Sequence, residues 1–86
     1  MSNLDQSLWQ PWIDEVCGAV GVEPSGVDVT AIHGLTSRIA ADFIRPMAPV
    51  GAYLWGLARA LHPDQDPEVL RQQILDVVRT EAAGGA

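Results

Sequence analysis

The sequence predicts an all-α fold, a small four-helix bundle built by one domain over residues 1–86. Apolar residues recur at three- and four-residue spacing in four separate stretches, as amphipathic helices require. Each stretch is bounded by proline, glycine or aspartate where helices start and stop. No stretch shows sustained two-residue alternation, and there is no Asn-Gly or Asp-Gly hairpin turn.

The first helix is expected over 8–20, with Leu8, Trp12, Ile13, Val16, Cys17 and Val20 at helical spacing. Two starts compete. Ser7 with Gln10 resembles a capping box, whereas Gln10 followed by Pro11 puts the proline at the first helical position. Gly21 is a natural stop, and Glu23-Pro24-Ser25-Gly26 reads as the turn after it. The second helix, 28–44, opens on Asp28, whose carboxylate can cap free N–H groups, with Val27 and Ile32 spaced as a hydrophobic staple. Its inner stripe is Ile32, Leu35, Thr36, Ile39 and Phe43, and Arg38, Asp42 and Arg45 share the opposite, wet side.

The third helix, 49–61, carries Val50, Tyr53, Leu54, Leu57 and Leu61 on one stripe, and Arg59 is its only charge. It is apolar or small almost all round, which suits a central helix or one with a second packing surface. In the fourth, 66–81, Asp66 caps, Pro67 takes the first position and Glu68 complements the helix dipole. Its inner face is Leu70, Ile74, Val77 and Val78. The expected core is Trp12, Val16, Ile32, Leu35, Ile39, Phe43, Leu54, Leu57, Ile74 and Val77. The tail from about residue 82 is small and should fray.

Composition narrows the function. With 48% hydrophobic and 19% charged residues the chain is too apolar for a disordered acidic segment, and no run of about 18 apolar residues spans a bilayer. The net charge of −6, with arginine but no lysine, argues against nucleic acid and anionic membranes as partners, since both reward clustered positive charge. Met1-Ser2-Asn3-Leu4-Asp5 has neither the basic start nor the apolar core of a signal peptide, so the cytoplasm is the expected compartment. Cys17, the sole cysteine, sits in an amphipathic pattern and reads as a buried thiol.

No arrangement of nucleophile, base, metal ligands or phosphate loop stands out, so no catalytic, cofactor or metal residue is assigned. His33 and His62 lie on different elements without a ligand cluster. Asp64 and Asp66 lack the glycine and glutamate of a calcium loop, and read as turn and cap. The hinge Arg45-Pro46-Met47-Ala48-Pro49 sets Arg45 at the end of the second helix and Pro49 in the first turn of the third. Arg45 there either complements the dipole end of its own helix or contacts an anion at the start of the next. Gly51, Ala52, Trp55 and Arg59 form a patch off the main stripe of the third helix. A tryptophan among small residues and an arginine has the composition of an interface anchor, here of a homodimer. Equally, Trp55 can pack under the first or fourth helix.

Leu35 to Pro49, followed by Tyr53-Leu54-Trp55-Gly56-Leu57-Ala58, resembles a functionally uncharacterised family of small helical proteins from high-GC bacteria. The shared hallmark is an apolar helix ending in an Arg-Pro-x-Ala-Pro turn, then an apolar helix with an internal glycine. The resemblance covers nearly the whole chain. It implies an association with molybdopterin-guanine dinucleotide biosynthesis protein A, the molybdenum cofactor guanylyltransferase, beside which or fused to which such chains are found. The chain has no glycine-rich nucleotide loop of its own, so the implied role is that of an accessory module. Where the family has a histidine in the second helix this chain has Ala41, which can bind nothing. The expected function is a non-catalytic accessory or interaction domain; the alternative is a small-molecule-binding helical protein or weak enzyme. An acyl-carrier role needs a serine opening the second helix, where this chain has Ser25-Gly26-Val27-Asp28.

Overall fold

The computed structural model describes residues 8–84, and these form four α-helices with no strand among them. The helices are α1 (Gln10–Val20), α2 (Val29–Asp42), α3 (Ala48–Leu61) and α4 (Pro67–Gly84), with short 3₁₀ turns at Pro24–Gly26 and Arg45–Met47. The all-α class and the four helices follow the sequence pattern. Boundaries differ where local chemistry intervenes.

Helix α1 starts at Gln10 with Pro11 in its first turn, and the competing cap, Ser7, lies outside the described residues. Gly21 closes it in the left-handed conformation (φ 74°), which a glycine adopts without a Cβ clash. Asp28 caps α2 as expected, its Oδ1 accepting from the Ala31 amide at 3.0 Å. Asp66 does the same for α4, accepting from the Glu68 amide at 2.9 Å. That helix continues through Gly84, beyond the expected end at 81, and residues 85 and 86 lie outside the described residues.

The hinge departs from expectation. Helix α2 ends at Asp42 rather than 44, and Arg45 opens the 3₁₀ turn instead of closing the helix. Pro46 supplies the reason. In a continued helix it would have no N–H for the Asp42 carbonyl, and its ring would clash with that carbonyl. The chain therefore leaves the helix at Phe43, whose amide makes the last bond, to Ile39 O at 3.0 Å. Pro49 does stand in the first turn of α3.

Helices α2, α3 and α4 pack on one another around Leu35, Ile39, Ala48, Trp55, Leu70, Leu75 and Val78. Leu35 is wholly enclosed. Of the expected core, Leu35 and Ile39 are buried, and Ile32 and Ile74 are half-buried. Trp12, Val16, Phe43, Leu54, Leu57 and Val77 are exposed, which corrects their assignment. In α3 the inward side is Ala48, Gly51 and Trp55, more than a quarter-turn away from the larger Val50–Leu61 stripe. The small residues let α3 come close to α2: a Cβ built on Gly51 would overlap Ile39 Cδ1. In α1 the inward residues are Ile13 and Cys17, one position on from Trp12 and Val16. That helix lies outside the three-helix core, resting on the Pro24–Gly26 turn. The radius of gyration, 14.1 Å, exceeds the roughly 12 Å of a compact domain of this length.

Candidate functional site: uncovered apolar surfaces

The fold brings the residues singled out in the sequence to unequal places. Arg45, Pro46 and Pro49 are exposed at the junction of α2 and α3, and Arg45 takes part in none of the salt bridges among the described residues. The 3₁₀ turn engages the amides leading into α3: Met47 N–H donates to Ile44 O at 3.1 Å and Ala48 N–H to Arg45 O.

Trp55 is not on the surface. It is 3% exposed inside the single chain, and its indole N–H donates to the Pro67 carbonyl at 2.9 Å, tying α3 to the start of α4. Gly51 is buried against Ile39, and Ala52 is half-buried. Arg59 is half-buried with its guanidinium 5.0 Å from the Trp55 ring centroid, a cation–π contact. The patch Gly51, Ala52, Trp55 and Arg59 is thus part of the interior and its lid, not an outward anchor. An indole buried among apolar residues needs an acceptor for its N–H, and Pro67 is positioned to supply one.

Polar chemistry concentrates beside this point. Ser25, Asp28, Arg59, Asp66 and Glu68 line a small cleft of about 280 Å³ together with Trp55 and Pro67. Arg71 meets Glu68 through two hydrogen bonds, Nε to Oε1 at 2.9 Å and Nη2 to Oε2 at 2.7 Å. These bonds hold the Glu68 carboxyl below its ordinary pKa of 4.5 and raise that of Arg71, with the Asp28 charge adding to the latter. Among the described residues no group of three or more His, Cys, Asp or Glu converges as a metal site.

Two larger surfaces are apolar. A cleft of about 400 Å³ between α1 and α2 is walled by Leu8, Trp9, Trp12, Ile13, Val27, Val29, Ile32 and His33, the last meeting Trp9 edge to face at 5.5 Å. Beside it Leu8, just before α1, and the outer stripe of that helix, Trp12, Val16 and Val20, face solvent, Trp12 at 66% exposure. A second groove of about 320 Å³ runs between α2, α3 and α4, and Phe43, Val50, Leu54 and Val77 line it with no polar side chain on its walls. It opens onto the exposed stripe of α3.

Sequence reasoning missed these surfaces by assigning the same residues to the core. The signal against that assignment was the run Ala48, Gly51, Ala52, Trp55, which places small residues on one face at the spacing of close helix contact. Among the described residues, no helix is long and apolar enough to cross a membrane. Comparison with curated proteins and with solved structures finds no significant match. The model of one family, a domain of unknown function called DUF6457, matches residues 4–85, and the chain belongs to that family.

Proposed function

We propose that this chain is a non-catalytic, cytoplasmic accessory domain that works by binding another protein, and that its partner is the molybdenum cofactor guanylyltransferase to which the sequence resemblance points. The observation that carries the binding role is the outer stripe of α1, where Trp12 stands exposed beside Val16, Val20 and an apolar cleft. Exposed tryptophan next to a pocket is the composition of a binding hot spot, since the indole buries a large area with little loss of side-chain freedom. The partner itself rests on the resemblance alone.

The test is titration calorimetry between the purified chain and the guanylyltransferase. Binding is expected, and Trp12→Ala should weaken it about tenfold or more, the loss of a typical hot spot. Circular dichroism should stay unchanged, because Trp12 lies outside the core. Absence of binding at about 100 μM, weaker than most specific complexes, would remove this partner. A second reading puts a small apolar ligand into the α1–α2 cleft, whose volume lies in the range of small-molecule sites and whose rim carries His33. A reproducible rise in melting temperature with such a ligand, abolished by filling the cleft with Val29→Trp, would favour it.

A further inference from the structure

We infer that the outer face of α3 is a self-association surface, on which a second copy of this chain packs its own α3 antiparallel about a two-fold axis. This goes beyond the partner binding assigned to α1, and its test needs the purified chain only. The seam is Val50, Leu54, Leu57 and Leu61, all exposed in the single chain. Their 4-3-4 spacing is that of alternating a and d positions in a coiled coil. It also reads the same in both directions. Antiparallel pairing centred between residues 55 and 56 therefore sets Val50 of one copy against Leu61 of the other, and Leu54 against Leu57, with both contacts repeated by symmetry.

Charge leaves this face open to a second copy, where the rest of the surface does not. Each molecule carries −6, so most of its surface repels another copy. Helix α3 is the exception: its one charged residue, Arg59, lies half-buried over Trp55, and its outward side has no charge at all. In the same register position 45, just before α3, falls opposite position 66 of the other copy, so Arg45 stands at the end of the seam where the acidic turn from Asp64 to Asp66 follows α3. Neither Arg45 nor Asp64 has an ion-pair partner in its own chain among the described residues.

The area fits as well. With Phe43, Tyr53 and Val77 flanking the seam, the exposed side chains offer at most on the order of 700 Å² per copy, which reaches the lower part of the roughly 600 to 1,000 Å² per partner of standard interfaces. A lone apolar patch on a monomer is usually nearer 300 to 600 Å².

Sedimentation equilibrium from about 1 μM to 1 mM, the range that separates weak from standard self-association, should show a mass rising toward twice the 9.2 kDa of the chain. Leu54→Lys and Leu57→Glu should each raise the dimer dissociation constant about tenfold or more, with helicity and thermal unfolding of the dilute chain kept. Mixing the two variants should restore association, because position 54 of one copy then meets position 57 of the other as Lys against Glu. A single-chain mass at every concentration would overturn the proposal. So would undiminished association of both variants, or a mixture no tighter than either variant alone, which would exclude the antiparallel register.

Discussion

Burying an indole obliges its N–H to find an acceptor, and in this chain that requirement bears on the rotation of a whole helix. The Pro67 carbonyl accepts from Trp55 at 2.9 Å, and α3 is turned so that Ala48, Gly51 and Trp55 face inward while four large aliphatic residues face out. Trp55→Phe should lower stability by about 1 to 3 kcal/mol through the lost hydrogen bond and a smaller ring, measured by urea unfolding. Two glycines of the same helix should respond with opposite signs. At Gly51 an added Cβ would overlap the Ile39 Cδ1 methyl, so Gly51→Val should cost about 1 to 3 kcal/mol by displacing the buried Ile39 side chain from its place in the core. At Gly56 nothing lies within 4 Å, and Gly56→Ala should add about 0.5 to 1 kcal/mol by lowering the entropy lost on helix formation.

Among elements, the caps at Asp28, Asp66 and Gly21 were legible, whereas the C-terminal ends of α2 and α4 and the helix rotations were not. Asp28, Asp66 and Gly21 act within a few residues of their own position, so their chemistry can be read without knowing the neighbours. Which side of α1 or α3 turns inward depends on partners distant in sequence. Hydrophobicity alone pointed to Leu54 and Leu57, whereas close approach to α2 required the small side of the helix. The candidate surfaces were illegible for the same reason, since they are what the mistaken core assignment left outside. The opening of α4 offers a test by pH. Arg71 holds the Glu68 carboxyl below its ordinary 4.5, chiefly by hydrogen bonding, so this pair contributes stability above about pH 4.5 and loses it as the pH falls through the folded-state value. An NMR titration should place Glu68 below the exposed glutamates, and Arg71→Gln should return it to the ordinary range.

At the scale of the molecule the chain divides into a three-helix core and an outlying α1. The two buried side chains of α1, Ile13 and Cys17, do not join the cluster that holds α2, α3 and α4 together. Few buried contacts mean a low free energy of local opening. Hydrogen exchange should therefore release the amides of α1 before those around Leu35 and Ile39; equal protection of all four helices would show α1 to be part of one cooperative unit. Cys17 turns this division into a clock. Its thiol is shut away while α1 is seated, so a thiol-specific reagent reaches it during excursions of that helix. When reclosing is slow beside modification, the labelling rate ceases to depend on reagent concentration and equals the frequency at which α1 lifts. A partner bound across Trp12 and the neighbouring cleft would hold the helix down and slow the clock, so the one sulfhydryl of the chain can register occupancy of a surface it does not touch.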